Sequence, residues 1–284
     1  MNVEKPLLAR NLTRVYRGSF FRGKAPALDR FELSLSPGMI AGLVGPNGSG
    51  KTTAIRCCLG LLQPTAGQAL LFGVAAGGRA PRRPLGYAPE FCNLSRRRTG
   101  RETLRLLCAL ARLDRREAAR RIEALLSRFE LAGAADRRLA GYSKGMLRRL
   151  SIVGSLLSDP ELLVLDEPFD GLDPLGSGIV RDELLRRAAS GAAVLLSSHA
   201  LADLEAVATH LTVLASGRIL EQGAIDEVLA RRDQMQLVVK GLAKEAIPRL
   251  RRELSQQGAE LLSSSPDRES LEDLFRRKMR EGRP

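Results

Sequence analysis

Apolar positions recur along this chain with two different periods, and the changes of period divide it into elements. Over 7–16 (LLARNLTRVY) and 27–35 (ALDRFELSL) they fall at about every second residue, the spacing of a half-buried strand. The segment between them contains glycine and arginine and reads as a loop, and Ser36-Pro37-Gly38 has turn chemistry. MIAGLV at 39–44 is a short continuous apolar run, which predicts a buried strand; a glycine-rich loop then leads into a helix over TAIRCCLGLL. From Glu102 to about Leu131 the period is helical, with Leu104, Leu107, Cys108 and Ala111 on one face. Another helix is predicted from Ser143 to Leu157, closed by Ser158-Asp159-Pro160.

Beyond that point strands and helices alternate. ELLVLD (161–166) is apolar throughout, as a strand buried on both faces of a parallel sheet must be. A helix over 175–189, the strand AAVLLSS (192–198), a helix over 200–208 and the strand LTVLAS (211–216) follow. This order predicts an α/β domain with a mainly parallel sheet, interrupted near 90–158 by a helix-rich insertion. After Gly223 the pattern weakens to a lone strand over Gln236–Lys240, a loop at Ser263–Pro266 and a basic amphipathic helix over Ser270–Arg280.

Composition narrows the class. With 284 residues, 44% of them apolar, the chain can bury a sizeable core, which excludes disorder and a disulfide-stapled mini-protein. No apolar run approaches the roughly 18–20 residues of a membrane-spanning helix, and Met1–Arg10 has no signal-peptide core, so a soluble cytosolic chain is expected. Cys57, Cys58, Cys92 and Cys108 show no metal-ligand spacing and read as reduced structural thiols. Of the net charge of +13, the block Phe91–Leu150 carries +10, from 16 basic and 6 acidic residues. Nucleic acid, anionic headgroups or an acidic partner would suit such a face, but few aromatics and no Trp supply no base-stacking platform.

The chemistry is concentrated in Gly45-Pro46-Asn47-Gly48-Ser49-Gly50-Lys51-Thr52, a full GxxxxGK[ST] match between a predicted strand and a predicted helix. Glycines let main-chain N–H groups close around a β-phosphate, and the helix N-terminus favours an anion. Lys51 would reach the β- and γ-phosphates, Thr52 would coordinate Mg²⁺, and Thr53 would bond the α-phosphate. A second Mg²⁺ anchor is expected at the end of a neighbouring strand, where Asp166 stands, and Glu167 beside it is placed to activate or orient water.

Around these residues several segments resemble the nucleotide-binding subunits of ABC transporters, in that family's order, over about residues 5–223. Tyr142-Ser143-Lys144-Gly145-Met146 is similar to the signature sequence, Gly171-Leu172-Asp173-Pro174 to the D-loop, and His199 to the switch histidine. Gly86-Tyr87-Ala88-Pro89-Glu90 occupies the Q-loop position, and Tyr16 fits the adenine-stacking aromatic, with Phe20 and Phe21 in the same loop as alternatives. The resemblance implies a P-loop NTPase core with a mainly parallel sheet, an N-terminal antiparallel β subdomain and an inserted α-helical subdomain at about 91–158. The ATPase domain would span 1–228 and a small appendage 229–284. It also implies ATP and Mg²⁺ as ligands, with catalytic roles for Glu167, His199 and Glu90 and metal contacts from Thr52, Asp166 and Glu90. Nucleotide contacts fall to Tyr16, Gly45–Thr53, Ser143, Gly145 and Asp173. Two subunits, as homodimer or heterodimer, would sandwich ATP head to tail, Ser143 and Gly145 touching the γ-phosphate held by the partner's Lys51.

Some residues depart from the family pattern. Lys144 and Met146 replace a glycine and a glutamine of the signature, a form that resembles ABC-2-type exporters, and Glu90 replaces a glutamine. Phe169 stands where threonine is usual, with no functional account in the sequence. The expected function is the ATPase subunit of an exporter, peripheral on the cytoplasmic face of a membrane and coupled to separate permease subunits. The alternatives are a soluble ABC-type ATPase acting on nucleic acid or ribosomes, or a cofactor-assembly scaffold. One phosphate loop, and only about 115 residues between Lys51 and Asp166, speak against the double-unit translation factors and the coiled-coil chromosome proteins. Nucleic acid is accordingly an unlikely partner.

Overall fold

The computed structural model describes residues 4–16, 26–78, 84–91, 94–230 and 246–261. It divides into two compact units, Met1–Leu229 and Ala230–Pro284. In the first, an antiparallel sheet of β1 (Leu7–Arg14), β2 (Leu28–Leu35), β4 (Ala66–Leu71) and β5 (Val74–Ala75) has the order β2-β1-β4-β5. The alternation read from the sequence holds in β1 until Asn11, whose φ of 49° marks a bulge that shifts register between Ala9 and Leu12. The second sheet orders β10 (Arg218–Ala224), β9 (His210–Ala215), β3 (Ile40–Val44), β8 (Ala193–Ser198), β7 (Leu162–Asp166) and β6 (Leu85–Ala88). Its inner strands are parallel and β10 pairs antiparallel to β9 at one edge. Every residue of β3, β7 and β8 is buried, as their unbroken apolar runs require.

Two apolar clusters lie on opposite sides of this parallel sheet. One joins it to the antiparallel sheet and to α1 (Lys51–Cys58), with Leu7, Phe31, Ile55, Leu162 and Leu195 among its members. The other joins it to the helical insertion through Leu104, Leu126, Phe129, Ile152, Leu163 and Leu196. Phe169 belongs to this second cluster at 4% exposure, so its apolar ring has a packing explanation.

The helices correct the sequence reading in three places. The single helix expected over Glu102–Leu131 is two, α2 (Gly100–Leu110) and α3 (Arg115–Arg128). Arg112 takes φ 55°, and Asp114 caps α3 by accepting from the N–H groups of Arg116 and Glu117. Thr99 and Glu102 form a capping box that starts α2 before the predicted residue. The helix expected over 53–62 starts at Lys51 and ends at Cys58, because Gly60 (φ 70°) turns the chain where a Cβ would lie 2.0 Å from the Gly77 nitrogen. The helix expected over 200–208 is only α6 (Leu201–Glu205). α4 (Lys144–Leu156) and α5 (Pro174–Ala189) lie close to the predicted bounds, and α7 (Ile225–Leu229) closes the first unit.

Strands β4, β5, β6 and β10 were not predicted. Among the described residues of the second unit, α8 (Ile247–Gln256) is helical; the strand, loop and helix expected at 236–240, 263–266 and 270–280 lie outside the described residues, as do Phe20, Phe21 and Cys92. No helix among the described residues is long and apolar enough to cross a membrane.

Candidate nucleotide site

The phosphate loop leaves the carboxyl end of β3, Asp166 and Glu167 end β7, His199 follows β8, and Pro89 and Glu90 follow β6. These parallel strand ends converge, which is where ligands of open α/β sheets bind. They enclose a cleft of about 360 Å³ lined by Ala27, Asn47, Gly48, Gly50, Lys51, Thr52, Thr53, Glu90, Glu167, Asp170 and His199. A separate hollow of about 390 Å³, lined by Leu8, Glu32, Met39, His210 and Gln222 among others, shares no residue with it and contains none of the phosphate loop.

The loop owes its shape to glycine. Gly50 sits at φ 111°, and a Cβ there would lie 2.5 Å from the Ala27 carbonyl oxygen. Gly48 (φ 79°) has nothing within 4 Å of a Cβ, so its need is conformational. The loop is pinned by Ser49 N–H to the Pro46 carbonyl (3.1 Å) and Gly217 N–H to the Ser49 carbonyl (2.9 Å). α1 has neither a side-chain cap nor an acidic residue in its first turn, so its leading N–H groups are available to an anion.

Lys51 is 7% exposed and its Nζ donates to the Gly45 carbonyl at 2.8 Å, with Glu167 Oε1 at 3.6 Å. Asp166 is fully buried; its Oδ1 accepts from Ser197 Oγ at 2.5 Å, and its Oδ2 has no hydrogen-bond partner among the described residues. A buried, orphaned carboxylate oxygen at the carboxyl end of β7, in the same sheet that carries the phosphate loop, fits a hard cation. No group of three or more His, Cys, Asp or Glu side chains among the described residues is arranged to hold a metal alone. A cation here would therefore depend on phosphate oxygens for the rest of its shell, which is the usual way Mg²⁺ is bound.

Glu167 adopts φ 55°, a left-handed conformation that costs a non-glycine residue on the order of 1–3 kcal/mol. Its N–H is held by the Ser197 carbonyl (3.1 Å) and Ser197 Oγ (3.0 Å). Its Oε2 accepts from the His199 N–H at 3.1 Å and lies 2.7 Å from His199 Nδ1. The bend thus brings Glu167 to Lys51 and His199 together. Glu90 is pushed above the ordinary carboxylate range, first by burial and then by Asp166, Glu167 and Asp170, while Arg148 opposes the rise.

The Tyr16 hydroxyl is 3.4 Å from Thr53 Oγ1, and the Arg14 guanidinium lies 5.0 Å from the Tyr16 ring centre. Ser143, Gly145 and Asp173 do not line the cleft. Ser143 is exposed and caps α4, accepting from Met146 N–H at 3.2 Å; Asp173 caps α5, accepting from Gly176 N–H at 2.7 Å. Gly145 packs so closely on the loop before α5 that a Cβ would come within 2.9 Å of the Gly171 carbonyl oxygen. Lys144 pairs with Asp170 at 2.8 Å.

Three residues of the site escaped the sequence reading. Asp170 lies three residues after Glu167 in the same loop and was legible as a further acid. Ser197 gave no signal, since its partners Asp166 and Glu167 are about 30 residues away. Arg148 was counted only with the basic block, although it shares a helical stripe with Ser151, Ile152 and Ser155 and is buried with them.

The ABC transporter family profile matches residues 28–170. An uncharacterized ABC transporter ATP-binding protein of Synechocystis sp. is 33% identical over 98% of this chain and 87% of its own length. The Nod factor export ATP-binding protein I of Cupriavidus metallidurans is 35% identical over 78% of this chain and 72% of its own. A solved structure of the ATP-binding subunit of an ABC transporter superposes with a TM-score of 0.71 at 32% identity, covering 78% of this chain and 90% of that one.

Proposed function

This chain belongs to the ABC transporter ATP-binding family and is an ABC-type ATP hydrolase, and from that premise we propose that it powers export through separate membrane permease subunits. In this reading it works on the cytoplasmic face of a membrane, and ATP closes two subunits head to tail, as homodimer or heterodimer. The observation that carries it is the division of the site. Lys51, Glu167 and His199 line one cleft, with Asp166 buried at the adjoining end of β7, whereas Ser143 and Gly145 occupy the N-terminus of α4 outside it. A helix N-terminus with an exposed serine suits an anion that this chain's own cleft does not deliver, namely the partner's γ-phosphate. The likeness to a Nod factor export protein favours export over the nucleic-acid and scaffold alternatives.

The residues then have the following work. N–H groups of Gly48 to Thr52 hold the β-phosphate, and Lys51 exchanges the Gly45 carbonyl for phosphate oxygens. Tyr16 stacks on the adenine and Thr53 bonds the α-phosphate. Thr52, Asp166 and Glu90 would hold magnesium, which would supply positive charge to the phosphate oxygens. Glu167 orients the attacking water and accepts its proton. The water oxygen bonds the γ-phosphorus as the bond to the bridging β-γ oxygen breaks, giving ADP and phosphate. His199, whose Nδ1 lies 2.7 Å from Glu167 Oε2, meets the γ-phosphate through its imidazole and so senses whether that phosphate is present. Loss of the γ-phosphate removes the contacts that hold the dimer shut.

Steady-state hydrolysis by the full chain with Mg²⁺, beside a Glu167→Gln variant, tests the site. A loss of at least about 100-fold is expected when a group acting in the transition state is removed. Equal rates would refute the assignment. Isolation of the chain from membranes should bring down an integral-membrane partner; recovery with soluble proteins alone would refute the permease reading.

A further inference from the structure

Helix α4 begins with the segment proposed to meet the partner's nucleotide, and five residues after Ser143 it turns an arginine inward. Arg148 is 6% exposed. Its Nη1 donates to the Pro89 carbonyl at 2.6 Å, with the Glu90 carbonyl at 3.5 Å, and its Nη2 donates to the Asp166 carbonyl. One guanidinium therefore spans the ends of β6 and β7, the two strands that deliver Glu90 and Asp166 to the cleft. These three acceptors are main-chain oxygens. The Asp166 carboxylate is engaged by Ser197 on one oxygen, and its other oxygen is buried with no hydrogen-bond partner among the described residues.

Burying a guanidinium is costly unless its donors are used, so a site that keeps one has a geometry to hold. The planar fork fixes the separation and direction of the groups it joins, which a lysine ammonium on a flexible stem does not. Arg148 stands on a rigid helix one and a half turns from Ser143, with no loop between them.

We propose that Arg148 is the positioning residue that couples a subunit's own nucleotide to the signature it presents to its partner. The proposal rests on the head-to-tail reading above. When ATP fills the cleft, Glu90 and Asp166 take up their phosphate and water contacts, the carbonyls behind them move with them, and the fork carries that movement to α4. Ser143 and Gly145 then reach the position that completes the partner's site. Without the fork each cleft still binds ATP, but filling it no longer prepares the opposite face.

The test uses the full chain in a Glu167→Gln background, which slows hydrolysis and lets closure be read at equilibrium. Binding of a fluorescent ATP analogue, ATP-driven dimerisation by sedimentation, and thermal unfolding are compared for the parent, Arg148→Lys and Arg148→Met. We expect nucleotide affinity to change by less than about threefold, while dimerisation at fixed ATP weakens by about tenfold or more in both variants, the signature of a lost coupling free energy. The lysine variant keeps the charge; if the methionine variant does not fold, the lysine variant decides. Dimerisation within about twofold of the parent would overturn the proposal, as would an equal loss of nucleotide binding, which would make Arg148 a support of the cleft alone. A parent that does not dimerise with ATP would remove the head-to-tail reading and this inference with it. Failure of the variants beside a dimerising parent cannot be mistaken for that.

Discussion

Ser197→Ala removes one oxygen atom and tests how far the strand end of β8 sets the catalytic carboxylates. Ser197 is fully buried, and its hydroxyl makes two contacts: it donates to Asp166 Oδ1 at 2.5 Å and accepts from Glu167 N–H at 3.0 Å. The second loss is small, because the same N–H also reaches the Ser197 carbonyl at 3.1 Å. The first is larger, since it leaves a buried carboxylate with neither oxygen engaged; a hydrogen bond to a charged group contributes about 1.5–3 kcal/mol. At roughly 2–4 °C per kcal/mol for a unit of this size, the melting temperature should fall by about 3–12 °C. Ser198→Ala is the control, because its hydroxyl meets neutral main-chain groups of Ala200, accepting from the N–H at 2.9 Å and donating to the carbonyl at 3.4 Å, and should cost about 1 kcal/mol. Calorimetry of the full chain without nucleotide reads both, and the Ser197 deficit should narrow when Mg²⁺ and ATP give Asp166 new partners. A Ser197→Ala transition within about 1 °C of the parent, or no lower than that of Ser198→Ala, would refute the reasoning.

Further consequences are open to the same methods. Phe169→Ala empties a buried ring position and should cost about 3–5 kcal/mol, read as a shifted urea midpoint. Glu90 binds its proton more tightly in the fold than in the unfolded chain, so its ionisation costs stability as pH rises through the folded value. Glu90→Gln should then melt higher than the parent at neutral pH, and the gain should shrink as pH falls into the ordinary carboxylate range; a gain independent of pH would refute this. Chelating Mg²⁺ should weaken ATP binding by about tenfold or more, because the cleft's carboxylates would face the phosphates unscreened, and equal affinities would refute that. Reversing exposed Arg96, Arg97 and Arg98 to Glu should reduce recovery with membranes if the basic block docks there; unchanged recovery would remove that role.

What was legible in the sequence follows from where the information lies. The phosphate loop could be read because its function is its local shape: Gly50 at φ 111° and Lys51 on the first helical turn are consequences of adjacent residues. Strands β3, β7 and β8 were readable because burial on both faces leaves unbroken apolar runs. β4 was not, since Ala66, Gly67 and Gln68 are exposed and only its end faces a core. β6 has four residues, including a Gly86 at which a Cβ would lie 2.1 Å from the Ser155 carbonyl oxygen, so close helix packing, invisible in a period, explains it. The overlong helix between Glu102 and Leu131 hid a signal that was present, for Asp114 and Glu117 stand at N-cap spacing. Ser197 and Arg148 act only through strand ends brought together by the sheet, and no local pattern announces that.

The charge distribution shows why net charge was a poor guide to this site. The chain carries +13, yet Glu90, Glu167 and Asp170 line its cleft, and Asp166 is buried at the adjoining end of β7. Among the described residues, Lys51 is the one Lys or Arg side chain on the cleft wall and is already engaged by the Gly45 carbonyl and Glu167. A polyanion enters such a place through main-chain N–H groups and a shared cation, with side-chain charge in a minor part. The carboxylates then have a use, since each can share with the phosphates a cation or a water that screens one anion from the other. Arg148 grips the carbonyls of the strand ends and Lys144 holds Asp170, so these two positive charges serve to fix the acid-bearing segments in place. The arginines of the insertion do not line this cleft. Apart from that of Arg148, their charge is therefore free to answer to a different surface, and ATP binding need not change when that surface is altered.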